Sequence, residues 1–173
     1  TGLVSPDQGD NSNQDGQANY RGVMAVGALL DDGNKAAYSE RGANLWVSAP
    51  AGESSCTTGH LITTTDRAGA DGYNTNGTNE LADLSYTKCM NGTSSATPIV
   101  SGVAALVIQA VPTLGWRDVR KILATTAEKN DPTDPEWAQN GATAPLWINP
   151  NFVFGRVDAQ AAVRLAKKFP GLK

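Results

Sequence analysis

The stretch Asn91-Gly92-Thr93-Ser94-Ser95-Ala96-Thr97-Pro98 places serine hydroxyls directly after a glycine and directly before a long apolar run. A serine hydroxyl is a weak nucleophile. It needs a base to take its proton and donors to hold the oxyanion it creates. A helix N-terminus supplies unpaired backbone N–H groups and the positive end of a dipole. Gly92 allows a substrate to come close, so Ser94 is the candidate nucleophile for attack on a carbonyl. The same position is also a natural helix cap, and Thr93 or Ser94 by itself reads most often that way. The other groups able to do chemistry are Asp10, Asp15, Glu40, Cys56, Cys89 and one histidine, His60.

The elements that must position Ser94 follow from the hydrophobic pattern. Gly22 to Leu30 is a continuous apolar run, the mark of a buried parallel strand. Asp31-Asp32-Gly33-Asn34 is a turn, and Leu45 to Ala49 a second short strand stopped by Pro50. Residues 51–92 read as a polar loop. The helix that follows is apolar nearly all round to about Ala110, which predicts burial in the centre of a domain; Pro98 lies in its first turn and Pro112 ends it. A second helix is predicted from about Trp116 to Ala127, with Thr113 as cap. Asp158 caps a last helix to about Lys168. Strands and helices together give an α/β domain. Two buried strands are few for a doubly covered sheet, so further strands are expected from elsewhere.

The sequence has 173 residues, 40% apolar and 18% charged, as in an ordinary globular domain. A net charge of -3 argues against electrostatic binding of nucleic acid. The longest apolar stretch, Ile99 to Val111, is broken by Ser101, Gly102 and Gln109 and falls short of the roughly 20 residues of a membrane span. The chain opens on Thr1 rather than Met and shows no signal peptide, so it is expected to start after a processing site or other boundary. Cys56 and Cys89 bracket a polar loop with little to hold it in place. A disulfide there would imply an oxidising compartment; the alternative is two unrelated thiols.

Gly92-Thr93-Ser94-x-Ala96-x-Pro98, with Gly102 in the helix, resembles the serine signature of the subtilisin-like proteases. Leu114-Gly115-Trp116-Arg117-Asp118-Val119 is similar to the stretch after the serine helix in kexin and furin. Trp137-Ala138-x-Asn140-Gly141 and Phe154-Gly155-Arg156-Val157-Asp158-Ala159 resemble the end of that catalytic domain, and Asp10 to Gly16 and Tyr38-Ser39-Glu40 also align. The resemblance covers nearly the whole chain, with 54–88 the main departure. It implies the C-terminal portion, here 1–173, of a subtilase catalytic domain. The expected fold is part of a three-layer α/β structure with a mostly parallel sheet and a buried serine-bearing helix.

The resemblance also implies roles. Ser94 attacks the scissile carbonyl, and its own N–H contributes to the oxyanion hole. Asp15 lies in the S1 pocket and pairs with a basic P1 side chain, although Gln17 stands where the family has Tyr. Asp10 and Glu40 match carboxylates that hold Ca²⁺. Ser12 and Gly42 occupy positions of a family cysteine pair, so that disulfide is absent. The expected partners are a peptide or protein substrate and an accompanying propeptide, chaperone or C-terminal β-domain. The expected location is secreted or periplasmic.

A triad needs a base and an orienting acid. His60, in Thr58-Gly59-His60-Leu61-Ile62, matches neither the context nor the distance of the family histidine and reads as a surface or loop-packing residue. The catalytic Asp, His and oxyanion Asn are therefore expected on an N-terminal portion outside this chain, which alone would be inactive. Two alternatives to the kexin-like endopeptidase stay open. One is a non-catalytic fragment or pseudo-protease that binds calcium or a partner. The other is a sedolisin-type acid protease, disfavoured by Trp116-Arg117-Asp118 and Tyr38-Ser39-Glu40.

Overall fold

A computed structural model describes residues 11–172 apart from Ser54, Thr58, Thr78 and Asn79. β1 (Ala25–Leu29) and β2 (Leu45–Pro50) pair in parallel, Val26 opposite Val47 and Ala28 opposite Ala49. Both are buried along most of their length, as their unbroken apolar character requires. The outer edge of β2 is extended by 154–157, through Ser48 N–H to Gly155 O (2.9 Å) and Val157 N–H to Ser48 O (2.9 Å).

α1 (Thr93–Ala110) lies against β1 and β2, and α3 (Ala159–Ala166) packs on α1 and on α2 (Trp116–Thr126). The core between them contains Val47, Val100, Val107, Ile122, Leu123 and Ala162. α1 is long and apolar enough to cross a membrane by length and composition alone, as core helices of globular proteins also are. One face of α1 is buried through Ala96, Val100, Val103 and Val107, whereas Leu106 and Ile108 on the other are 47% and 45% exposed. Burial all round requires cover on both sides, and the described residues cover one.

The caps differ in detail from expectation. Gly92, not Thr93 or Ser94, is the N-cap of α1. Gly115 rather than Thr113 precedes α2, and its N–H is bound by Asp118 Oδ2 at 2.8 Å. Asp158 caps α3 as predicted, accepting from Ala161 N–H at 2.8 Å.

The segment read as an uninterrupted polar loop contains an antiparallel hairpin, β3 (Ile62–Thr65) and β4 (Tyr86–Met90). Its long connection is organised by the buried side chain of Asn74. That amide donates to the carbonyls of Leu81 (2.7 Å) and Tyr86 (2.9 Å), while its oxygen accepts Gly77 N–H (3.0 Å). The Cys56–Cys89 disulfide is formed and ties the approach to β3 onto β4. A last short pair, β5 (Ala138–Gln139) and β6 (Trp147–Ile148), completes the described structure.

Candidate active site

β4 runs directly through Asn91 and Gly92 into α1, so Ser94 stands in the first turn of that helix. The turn is possible because Gly92 sits at φ 81°, a conformation that a side chain would strain. First-turn N–H groups have no intrahelical acceptor, so the Ser94 N–H lies beside its own hydroxyl as an available donor. Ser94 is exposed, and its Oγ has no hydrogen-bond partner among the described residues.

The neighbouring serine behaves in the opposite way. Ser95 is buried, and its Oγ donates to the carbonyls of Gly92 (2.8 Å) and Ala51 (3.4 Å). Of two adjacent hydroxyls, one is consumed by structure and one is presented to solvent.

A cavity of about 240 Å³ opens beside this turn. Thr93 and Thr97 form one wall, and Ser12, Ala18, Tyr38 and Glu40 contribute to the others. Asp15 is exposed at the start of the turn that brings Ala18 to the cavity. Its Oδ1 accepts the N–H groups of Gln17 (2.7 Å) and Ala18 (3.0 Å), which leaves Oδ2 without a partner among the described residues. Glu40 is exposed at the cavity with no hydrogen bond or ion pair among the described residues. Asp10 lies outside the described residues. Glu40 is the carboxylate of the cavity lining that could accept a hard cation.

Ser12 and Gly42, where the resembled family carries a cysteine pair, are in fact neighbours. Ser12 Oγ donates to Asn44 Oδ1 (2.5 Å), Ser12 N–H to Arg41 O (3.1 Å), and a Cβ at Gly42 would overlap the Ser12 hydroxyl. Hydrogen bonds thus join two segments that a disulfide could join.

His60 is exposed and pairs through Nδ1 with Asp31 Oδ2 in the turn after β1; that contact holds the Asp31 carboxyl below its ordinary value. Sequence reasoning missed the part played by Tyr38. Its hydroxyl donates to Gly52 O at 2.6 Å and accepts Gly92 N–H at 3.2 Å. Burial raises this phenol above its usual range, so it stays protonated at neutral pH. No spacing rule signals such a contact, because its two partners are backbone groups far away in sequence.

The Subtilase family profile matches residues 2–143. A calcium-dependent protease of Trichormus variabilis is 38% identical over 154 residues, spanning 88% of this chain and 22% of that protein. A furin-like protease of Drosophila melanogaster is 30% identical over 160 residues, spanning 92% of this chain and 13% of that protein. Among solved structures, the serine protease of Aeromonas sobria superposes with a TM-score of 0.86 at 34% identity, over 95% of this chain and 32% of its own. The same protease in complex with a chaperone gives 0.78 at 33% identity, over 87% and 30%. The chain therefore spans less than a third of the length of these relatives. The parallel β1–β2 pair, the serine-bearing helix laid on it and the match over most of the sequence agree: this chain belongs to the subtilase family.

Proposed function

We propose that this chain bears the nucleophile of a calcium-dependent serine endopeptidase of the kexin-like type that cleaves after basic residues. The observation that carries the reading is the contrast between Ser94 and Ser95. Only Ser94 leaves its hydroxyl unengaged and exposed, at a helix N-terminus where its own N–H has no partner among the described residues. In the proposed reaction Ser94 Oγ attacks the scissile carbonyl carbon as its proton passes to a histidine. The Ser94 N–H receives the oxyanion, and collapse of the tetrahedral intermediate expels the amine and leaves an acyl-enzyme that water then hydrolyses. The histidine, its orienting Asp and a second oxyanion donor come from polypeptide outside the 173 residues, with these residues forming the C-terminal portion of the catalytic domain. The exposed Leu106 and Ile108 face of α1 is where that portion would pack.

The kexin-like assignment is supported by identity to the Drosophila furin-like protease. The basic P1 preference is supported by the free Oδ2 of Asp15 on the turn that reaches the cavity. Calcium is supported by the calcium-dependent relative and by the unpartnered Glu40 carboxylate; Asp10 and Glu40 would hold it, and it would rigidify the loops around the cavity. A chaperone partner is supported by the Aeromonas sobria protease solved in complex with a chaperone, and secretion by the 35% identity to an extracellular serine protease of that species.

The test is hydrolysis of peptides with Arg or Lys at P1 by the full-length protease and its Ser94→Ala variant. The reading expects activity in the first and its loss in the second, by about 10⁴-fold or more. Activity retained in Ser94→Ala would refute it.

A further inference from the structure

We propose that Tyr38 is a positioning residue for the nucleophile: its hydroxyl fastens Gly92, two residues before Ser94, to Gly52 beyond the end of β2. The inference rests on the reading of Ser94 as the reactive serine.

The approach to Ser94 passes through a glycine at φ 81°, the most conformationally free residue at the point where the chain must turn. Gly92 belongs to neither β4 nor α1, and its N–H has no backbone acceptor among the described residues. The Tyr38 hydroxyl accepts that N–H at 3.2 Å and donates its own proton to Gly52 O at 2.6 Å. The anchoring point, Gly52, is fixed by its surroundings. Gly52 is also at positive φ, bonded to Leu29 O through its N–H at 3.1 Å, and so crowded that a Cβ would meet His60 O at 2.6 Å. Tyr38 is held through its neighbour Ser39, whose Oγ accepts Ala28 N–H of β1 at 3.0 Å.

On the other side of Ser94, Ser95 ties α1 to Ala51, the residue before Gly52. The nucleophile thus sits between two clamps on one dipeptide at the end of β2. Removing the Tyr38 clamp frees rotation at Gly92 and misplaces the Ser94 N–H and Oγ together. Small misplacements of reacting atoms cost rate rather than binding.

The experiment compares the full-length protease with its Tyr38→Phe variant, which keeps the ring and loses both hydrogen bonds. Active sites are counted by fluorophosphonate titration, so rates refer to correctly folded molecules even if folding yield drops. The positioning role predicts that kcat per titrated site falls about tenfold, that KM stays within about twofold, and that the fluorophosphonate reacts more slowly with Ser94. An unchanged kcat per site would overturn it, with any loss confined to the number of folded molecules. A raised KM at unchanged kcat would also overturn it, by making Tyr38 a substrate contact. Wild-type protease in which the reagent leaves Ser94 unmodified removes the nucleophile reading and this inference together; a labelled wild type with an unaffected variant removes only this inference.

Discussion

Ser95 Oγ donates to the carbonyl of Gly92 at 2.8 Å, a bond that spans Ser94 without touching its hydroxyl. The two serines should therefore respond oppositely to truncation. Ser95→Ala removes a donor from the buried Ala51 carbonyl and from the half-buried Gly92 carbonyl and should cost about 1 kcal/mol, lowering the thermal midpoint by about 2–4 °C in a unit of this size. Ser94→Ala should leave the midpoint unchanged while abolishing peptide hydrolysis. Melting curves and assays on both variants of the full-length protein check this.

The Cys56–Cys89 bond closes a loop across 33 residues around the hairpin that leads into Ser94. The chain-entropy argument gives it about 4 kcal/mol. Reduction, or the double Cys56→Ser/Cys89→Ser change, should lower the thermal midpoint by about 10 °C. Equal midpoints with and without reductant would show that Asn74 and the β3–β4 pairing suffice.

Asp15 offers one carboxylate oxygen to its own turn and keeps the other free. Asp15→Asn keeps the turn acceptor and removes the charge. It should lower kcat/KM for Arg and Lys at P1 by about 10²-fold, on the scale of a charge-assisted hydrogen bond. It should do far less for neutral P1 residues, and equal losses for both would contradict the pocket assignment.

If Glu40 and Asp10 hold Ca²⁺, chelation should lower the thermal midpoint of the full-length protease, and Glu40→Gln should mimic chelation and make the midpoint insensitive to added Ca²⁺. The stabilisation grows with the ratio of free ion to its dissociation constant, about 2.7 kcal/mol at a hundredfold excess. A wild-type midpoint indifferent to both chelator and Ca²⁺ would count against the two ligands.

Asp118 links the start of α2 to the last described residue of the chain. The Leu172 N–H, at 2.7 Å, is the main cause of a carboxyl held below its ordinary 3.8, with the Gly115 N–H adding to it. A carboxyl lowered on folding contributes stability above its unfolded value and loses it as pH falls through the folded one. The midpoint difference between wild type and Asp118→Asn should therefore be full near neutrality and shrink below about pH 4. A difference that does not change with pH would remove the ionic origin.

Periodicity and composition located β1, β2 and the three α-helices among the described residues: β1, β2 and α1 are nearly continuous apolar runs, while α2 and α3 carry amphipathic patterns that begin after Gly115 and Asp158. The hairpin escaped because β3 exposes its three threonines, β4 buries only the polar Thr87, and neither shows the apolar alternation that marks a half-buried strand. The placement of Ser94 in the first turn of α1 was legible from the glycine and the apolar run on either side of it. The caps were not, since Gly92 and Gly115 act through backbone geometry rather than side-chain oxygens. Inside the disulfide-closed loop around 54–88, the buried amide of Asn74 gathers several backbone groups, and polar composition gives no sign of which asparagine that would be.

The most direct measurement is the site of a fluorophosphonate adduct on the full-length protease, mapped by peptide mass spectrometry. The account predicts one phosphonylated residue within these 173, Ser94, with Ser95 unmodified in the same peptide and labelling lost in Ser94→Ala. Active protease that carries its adduct on Ser95 or any other residue, or that hydrolyses peptides with Ser94 unmodified by the reagent, would contradict it.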